Sequence, residues 1–194
     1  MTRGSQTREQ IEAKALQLFV EQGVAETSVR DIAQAVGIAD GALYRHFASK
    51  DALVGHLFKA NYIRFAEELD RLQAAAPDCH AKLAAMVGGF CRFFDADPVL
   101  FRFLLFVQHG QLAKIGAEVS TPVDIVRNVL EAAMTRGEIT RRDPALATAW
   151  VFGIVLQTAT AAVYGRLSPK LTPLRDEIVG AAWRALAGTA IDRA

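Results

Sequence analysis

The chain has 194 residues, 52% of them hydrophobic, and a formal net charge of +1. This length is enough for one sizeable core, or for a small domain joined to a larger one. The composition is apolar enough that we expect an oligomer interface or an internal cavity, and the near-zero charge removes bulk electrostatics as an argument for or against a polyanionic partner.

Helix signals recur along the chain, whereas strand and hairpin signals are weak. The first four helices are predicted over about residues 7–22, 28–37, 39–45 and 49–75. Gly23 ends the first helix, and Ser28 and Asp31 have capping-box spacing at the start of the second. Ser49 is the predicted cap of the fourth and longest of these helices.

Five more helices follow, longer than the short helices at the start of the chain. Each begins with a capping side chain, which in all but the first is followed by proline at the first helical position. The predicted starts are Asp78, Asp97-Pro98, Thr121-Pro122, Asp143-Pro144 and Thr172-Pro173. Gly137, Gly165 and Gly188 should end the last three helices. The sequence therefore predicts an all-α fold of about nine helices.

Two cysteines, Cys79 and Cys91, fall within one predicted helix, which separates them by about 18 Å at 1.5 Å per residue. They cannot form a disulfide with each other at that distance, and unpaired cysteines are typical of a reducing compartment. The first residues, MTRGSQTREQ, hold no apolar signal-peptide core, so we expect a cytoplasmic location.

Residues 27–47, TSVRDIAQAVGIADGALYRHF, have the layout of a helix-turn-helix. Two short predicted helices are joined by residues 36–39, where Gly37 permits a left-handed turn. In such a unit the second helix lies in the major groove of DNA and its early residues reach the bases. The alternative is an ordinary alanine-rich helical corner with a few polar residues outside.

The second short helix cannot be stable by itself, and Leu43 and Phe47 are spaced to anchor it inward. Its outward residues are then Asp40, Gly41, Ala42, Tyr44, Arg45 and His46. Small side chains at two of these positions would let the backbone approach the groove. We predict base contacts near Asp40, Ala42 and Arg45.

Phosphate contacts are predicted around the same helix. Tyr44 and His46 can donate hydrogen bonds to phosphate oxygens, and Thr27 and Ser28 offer hydroxyl groups and free amides at a helix N-terminus. Lys50, one residue into the fourth helix, is predicted to act in the same way.

Local charge gives the helix-turn-helix little electrostatic support. Residues 1–50 hold six basic and six acidic side chains, a balance that argues against a strongly electrostatic binder. In a dimer, an N-terminal arm carrying Arg3 and Arg8 could add minor-groove contacts.

The stretch TSVRDIAQAVGIADGALYRHFASKDALV resembles the N-terminal signature of the tetracycline-repressor (TetR) family of bacterial transcription regulators. The matching positions are Thr27, Val29, Ile32, Ala33, Gly37, Gly41, Leu43, Tyr44, His46, Phe47, Ser49, Lys50 and Leu53. The resemblance covers about the first 55 residues, and the remainder is similar in helix number and length. It implies a homodimer that binds a palindromic operator and releases it when a small molecule enters the C-terminal domain.

One position departs from the family pattern. The family usually has serine or threonine where this chain has Ala39, a residue that would cap the recognition helix and touch phosphate. Either Asp40 takes over the capping or the cap is missing. Asp40 could also accept a hydrogen bond from cytosine N4, or weaken non-specific DNA binding through its negative charge.

We expect a DNA-binding domain over residues 1–50 and a ligand-binding and dimerisation domain over residues 51–194. Aromatic residues concentrate in the second domain, either as helix-bundle core or as the lining of an effector pocket. The predicted lining is Phe65, Leu69, Phe90, Phe94, Phe106, His109, Trp150 and Gln157. Gly88 and Gly89, inside a predicted helix, either leave room for a ligand or allow close helix packing. Because few charges are available here, the expected effector is hydrophobic, neutral or weakly polar.

Residues 145–164 carry no formal charge over twenty residues, which is long enough to cross a bilayer. Gln157, three threonines and many alanines favour instead a helix that its own domain and a partner subunit bury on nearly all sides. The last helix has an apolar side made of Leu174, Ile178, Ala181, Ala182, Ala185 and Leu186. The last two helices therefore predict a four-helix homodimer interface.

No metal, cofactor or enzymatic activity is predicted. The few cysteines and histidines lack the paired spacing of zinc sites, and the chain has no nucleophile-elbow or Gly-rich phosphate motif. The predicted function is a ligand-responsive transcriptional repressor. The alternative is a small-molecule-binding or enzymatic helical protein whose helix-turn-helix does not bind DNA.

Overall fold

The computed structural model describes residues 3–116 and 118–187, and within them the fold is all-α, as the sequence predicts. The helices are α1 (Arg3–Glu21), α2 (Val29–Val36), α3 (Asp40–Tyr44), α4 (Lys50–Ala74), α5 (Cys79–Ala96), α6 (Pro98–Gln111), α7 (Pro122–Thr135), α8 (Pro144–Val163) and α9 (Arg175–Ala187). Two short 3-10 turns, Leu112–Lys114 and Thr172–Leu174, complete the described elements.

The helix starts follow the predicted capping signals closely. The side chains of Ser28, Asp78, Thr121 and Asp143 each accept a hydrogen bond from a backbone amide of the first turn. The start of α9 differs from the prediction, because Thr172 and Pro173 form a 3-10 turn and the α-helix begins at Arg175. Gly188, the predicted end of that helix, lies outside the described residues.

The chain divides into two compact units, and the division differs from the expected boundary between residues 50 and 51. The first unit contains Met1–Tyr62 and Pro98–Gly116, and the second contains Ile63–Asp97 and Ala117–Ala194. The difference arises because α6 packs against α1, with the rings of Phe19 and Phe103 stacked 6.0 Å apart. The first unit is therefore larger than the helix-turn-helix alone.

In the second unit, α9 packs against α5 and α8. Ile178, Ala182 and Leu186 are buried there. The apolar side of α9 therefore packs on the core of the second unit and is not available to contact another chain. The carboxylate of Asp95, at the end of α5, accepts hydrogen bonds from the amides of Leu171 (2.7 Å) and Thr172 (3.0 Å), which fixes the turn before α9.

Gly88 and Gly89 lie at a close helix contact, which decides between the two roles left open by the sequence. A Cβ atom on Gly89 would come within 2.4 Å of Leu72 Cδ1, and one on Gly88 would come within 3.0 Å of Arg175 Nε. Both glycines are buried in α5. They therefore let neighbouring side chains reach the helix backbone, and they do not leave an open ligand space.

One face of α8 is covered and the other is not. Among the described helices, α8 is the one long and apolar enough to cross a bilayer by length and composition, and a third of its most apolar stretch is buried. The rest of the burial predicted for α8 was assigned to a partner subunit, and it stays a prediction. Four of the exposed residues are spaced three or four apart and form what we call the open face of α8: Leu146, Trp150, Gly153 and Gln157.

The two cysteines are free and buried, on α5. Burial raises the pKa of the thiols of Cys79 and Cys91 to about 11, so both are protonated at neutral pH.

Candidate nucleic-acid interface and effector cavity

The turn between α2 and α3 has the geometry of a helix-turn-helix. At its start, the Ser28 hydroxyl and the Asp31 carboxylate form a reciprocal capping box: Asp31 N donates to Ser28 Oγ (3.1 Å), and Ser28 N donates to Asp31 Oδ2 (2.8 Å). Hydrogen bonds from the hydroxyl and then the amide of Ser28 hold the pKa of Asp31 below its usual value. At the end of α2, Gly37 is left-handed (φ 77°, ψ 33°) and turns the chain into α3.

α3 has only five residues, and two apolar side chains hold it in place. Leu43 is fully buried and Phe47 is 4% exposed. The ring of Phe47 lies 5.4 Å from the ring of His56 on α4 and 4.8 Å from the guanidinium carbon of Arg8 on α1. Phe47 thus packs between α1 and α4, and the inward anchoring predicted from the spacing is what the structure shows.

The outward side of α3 is open to solvent. Asp40, Gly41, Tyr44 and Arg45 are exposed, and Ala42 and His46 are half-buried. Tyr44 is 53% exposed, so its hydroxyl is accessible to a partner. Arg30, in the first turn of α2, is a further exposed cation of this segment that was not among the predicted contacts.

Thr27 does not present a free hydroxyl to an anion, contrary to the expectation. The residue is fully buried, and its hydroxyl donates to Gly23 O at 2.8 Å and lies 3.3 Å from Leu18 O. Ser28 is exposed, but its amide is already bonded to the Asp31 carboxylate. The Asp31 carboxylate therefore already occupies the anion position at the start of α2. Thr27 stabilises the turn before that helix.

Lys50 also differs from its predicted role as a phosphate contact. Its ammonium group donates to three backbone carbonyls, Val24 O (2.6 Å), Ala25 O (3.1 Å) and Thr27 O (2.8 Å). A lysine ammonium has three N–H donors, so these bonds use all of them. In this structure Lys50 links the start of α4 to the turn before α2.

The recognition helix has no side-chain cap. Its N-cap residue is Ala39, which has extended backbone angles and no side chain able to accept a hydrogen bond. Asp40 is the first helical residue, so it does not replace the missing cap. Its carboxylate stands in the first turn of α3, where a negative charge interacts favourably with the helix dipole.

The predicted N-terminal arm is helical. α1 begins at Arg3, whose side chain lies outside the described part of the structure. Arg8 Nε is 3.1 Å from Glu12 Oε1, one helical turn away, and Glu12 Oε1 is 3.0 Å from His56 Nε2. Arg8 therefore contacts the protein itself, where a minor-groove arm was expected.

The second unit contains a cavity with an entirely apolar lining. Its cavity volume is about 40 Å³, and it lies within about 370 Å³ of space between atoms that includes open solvent. Its walls come from α4, α5, α7 and α8: Phe65, Leu69, Leu83, Met86, Val87, Phe90, Val126, Val151, Phe152 and Val155. No polar side chain is among these residues, so only apolar groups can be satisfied inside.

Three of the eight predicted pocket residues line this cavity: Phe65, Leu69 and Phe90. Phe94 is buried away from the lining, and Phe106 and His109 are exposed on α6 in the first unit. Trp150 and Gln157 lie on the open face of α8. The aliphatic lining was missed, although its spacing of three and four residues on α5 and α8 is a signal that could have found it.

The match to known families is strongest in the DNA-binding segment. Residues 11–57 match the profile described as "Bacterial regulatory proteins, tetR family". The repressor KstR2 of Rhodococcus jostii (strain RHA1) is 36% identical over 83 residues, which is 43% of this chain and 41% of KstR2. The chain thus spans less than half of that relative. The fatty acid metabolism regulator protein of Bacillus subtilis (strain 168) is 25% identical over 175 residues, 88% of this chain and 90% of the relative.

Solved structures of similar fold cover nearly the whole chain. A TetR-family regulator from Marinobacter aquaeolei VT8 superposes with a TM-score of 0.80 at 19% identity, over 96% of this chain and 98% of that one. FadR from Bacillus subtilis, solved in complex with stearoyl-CoA, superposes with a TM-score of 0.75 at 23% identity, over 93% and 98%. The profile match shows that residues 11–57 form a DNA-binding segment of the tetR family. The solved structures show that the described residues, with their helix-turn-helix and nine helices, have the fold of TetR-family regulators.

Proposed function

We propose that the chain is a cytoplasmic, homodimeric repressor that binds a palindromic operator and leaves it when a small apolar or weakly polar effector binds. The observation that supports the proposal most directly is that α3 is anchored on one side and exposed on the other. Two buried anchors, Leu43 and Phe47, hold five residues whose other side is exposed. An exposed tyrosine and arginine beside two small residues, on a helix anchored from behind, fit a surface that contacts DNA.

On DNA, we assign base contacts to the start of α3 and phosphate contacts to its borders. Gly41 and Ala42 are small enough for the backbone to approach base edges, and Arg45 can pair with guanine. Tyr44 and His46 can donate to phosphate oxygens, and Arg30 adds a charge at α2. Thr27 and Lys50, with their donors already engaged, are left out of this set.

The cavity defines what the buried part of the effector must be. Because its lining is apolar throughout, the ligand must place hydrocarbon inside and keep any charged group outside. The complex of the Bacillus subtilis structural neighbour with stearoyl-CoA supports a ligand of this kind, with an acyl chain joined to a polar carrier. We propose a hydrocarbon-bearing effector for this chain.

We assign the homodimer to the open face of α8, because the apolar side of α9 is already buried against α5 and α8 of its own chain. Leu146 is 46% exposed and Trp150 is 37% exposed, and both are apolar side chains that a second copy of the helix would cover. A partner subunit at this face would set two recognition helices about 34–36 Å apart, the spacing of successive major grooves.

Release of the operator follows from a shift of the protein between two conformations that differ in the position of α4. α4 carries Phe65 and Leu69 of the cavity lining and begins at Lys50, and five residues separate it from the end of the recognition helix. An effector that contacts these side chains more favourably in one position of α4 shifts the population towards that position. The two recognition helices then no longer match successive grooves.

The DNA-binding half of the proposal is tested by fluorescence anisotropy with a labelled duplex from upstream of the chain's own gene. Tyr44→Ala should weaken binding by about tenfold, the effect of losing a hydrogen bond to a charged phosphate. Phe106→Ala is the matched control, since Phe106 is an equally exposed aromatic residue on α6 of the same unit. If the folded wild type binds the duplex no better than unrelated DNA, the chain is instead a ligand-binding or enzymatic protein.

The effector half is tested by adding stearoyl-CoA, stearate or coenzyme A to the same complex. The apolar cavity predicts that ligands with the hydrocarbon chain lower the affinity for DNA and that coenzyme A alone does not. Release by coenzyme A without an acyl chain would contradict a hydrocarbon-bearing effector.

A further inference from the structure

We propose that Lys50 is a positioning residue of the DNA-reading unit, by which we mean α2 and α3. Its hydrogen bonds connect the start of α4 to the turn before α2 and so close residues 24–50 into a loop that contains both helices, which we call the ring. This inference rests on the proposed function, because it explains how the recognition helix is held for DNA. It gives Lys50 no contact with phosphate.

The first reason is the geometry of the ammonium group. Three carbonyl oxygens, those of Val24, Ala25 and Thr27, lie between 2.6 and 3.1 Å from Lys50 Nζ. These bonds join residues 23 to 26 positions apart in the sequence. A side chain that reached out to phosphate would have to give up at least one of them, because no fourth donor exists.

The second reason is the shape of the turn that receives the ammonium group. Thr27 is fully buried, and its amide and hydroxyl both bond to Gly23 O, which curls residues 23–27 into a tight turn. The turn directs three carbonyl oxygens to one point, where their partial negative charges repel each other. A compact cation with three donors relieves that repulsion, and a planar guanidinium cannot donate to three converging oxygens in the same way.

The ring has a consequence for DNA reading. α3 has five residues and no side-chain cap, so its direction depends on what holds its two ends. α2 precedes it, and α4 follows it after five residues. Because Lys50 fastens the start of α4 to the turn before α2, a movement of α4 carries α2 and α3 with it as one body.

The test compares Lys50→Met and Lys50→Arg with the wild type in DNA binding over a series of salt concentrations. Lys59→Met is the control, since Lys59 is an exposed lysine on the same helix. Binding is measured at a temperature where circular dichroism shows every variant to be folded. We expect both Lys50 variants to weaken binding by about tenfold, the effect of one lost charge-assisted hydrogen bond. The slope of log affinity against log salt should stay unchanged, and Lys59→Met should bind like the wild type.

A phosphate contact would give a different pattern. Lys50→Arg would then bind nearly as well as the wild type, and Lys50→Met would make the salt slope shallower by about 0.9 for each lost contact. Either result overturns the proposal. So does full DNA affinity in both folded Lys50 variants, which would leave the lysine with a role in stability alone.

A second measurement does not need DNA and therefore separates this inference from the proposed function. Amide hydrogen exchange followed by mass spectrometry should show faster exchange in residues 23–47 of Lys50→Met, with α5 and α7 unchanged. Unchanged exchange in residues 23–47 would contradict the ring even if the wild type bound no DNA. Faster exchange in a protein that binds no DNA would support the ring and reject the proposed function.

Discussion

At the scale of single residues, chemically similar side chains have different roles in this chain according to what surrounds them. Lys50 is occupied by three carbonyls, whereas Lys59, on the same helix, is exposed. Tyr44 is more than half exposed, whereas Phe47, three residues later, is buried. Helical spacing predicted the second contrast, because anchors must share one face. It could not predict the first, since the carbonyls that hold Lys50 come from a distant part of the sequence.

Gly88 and Gly89 allow a residue-scale prediction with a built-in control. Either change to alanine gains about 1 kcal/mol of helix propensity. At Gly88 the new methyl group meets only the flexible side chains of Arg175 and Arg92, but at Gly89 it meets Leu72 Cδ1 at 2.4 Å. We therefore expect Gly89→Ala to be less stable than Gly88→Ala by about 1–3 kcal/mol, the usual cost of overpacking.

The difference is measured by urea unfolding of the two variants under one set of conditions. Equal unfolding midpoints with equal slopes would show that Leu72 moves aside without cost, and that the glycine pair has no packing role.

At the scale of elements, the two helices of the DNA-reading unit differ in how they start. α2 has a complete capping box, whereas α3 begins at Ala39 with no side-chain cap. Most capping signals could be predicted from the sequence because they depend on neighbours two or three residues apart; the exception is Thr172-Pro173, which forms a 3-10 turn before α9. The missing cap of α3 was also visible there, and the structure adds that Asp40 does not substitute for it.

The caps predict opposite effects for two substitutions. Ser28→Ala should lower the free energy of unfolding by about 1 kcal/mol, and Ala39→Ser should raise it by a similar or smaller amount. Thermal unfolding followed by circular dichroism checks both. A stabilising Ser28→Ala or a destabilising Ala39→Ser would contradict the assigned N-caps.

The cap of α2 should also depend on pH. The pKa of Asp31 is lowered in the fold by the hydroxyl and amide of Ser28. Because the pKa is lowered, the ionised carboxylate stabilises the fold at pH values above 3.8, the ordinary pKa of aspartate. This stabilisation is lost as the pH falls through the lowered pKa of Asp31. The stability difference between wild type and Ser28→Ala should therefore be largest at neutral pH and shrink in acid.

At the scale of the whole molecule, two features correspond to the apolar composition of the sequence. One is the cavity of the second unit, and the other is the open face of α8. The sequence indicated both an internal cavity and an oligomer interface from composition alone. Trp150 and Gln157 were predicted to line the pocket, whereas both are exposed on the open face of α8 and are not among the cavity lining. An aromatic or polar residue on an apolar helix does not indicate which side of the helix it faces.

The dimer proposal predicts the effect of a charge on the open face of α8. Gln157→Arg places a cation among Trp150 and Gly153, where a partner helix would have to bury it, so we expect the dimer to dissociate. Affinity for DNA should then fall by about a hundredfold, because two linked half-sites bind far more tightly than one. Sedimentation velocity measures the oligomeric state, and anisotropy measures the affinity.

Ala132→Arg, on the exposed side of α7, is the control and should remain dimeric. A dimer that survives Gln157→Arg with unchanged DNA affinity would place the interface elsewhere on the molecule.

The sequence by itself determined the class of fold, the number of helices, where most of them begin and which two residues anchor the recognition helix. These features depend on neighbours within one or two helical turns, whose chemistry is visible in a single stretch of chain. Only the tertiary structure decided that Lys50 and Thr27 bond inward, that α6 joins the first unit and that aliphatic residues line the cavity. Each of these depends on groups distant in sequence, which no local pattern records.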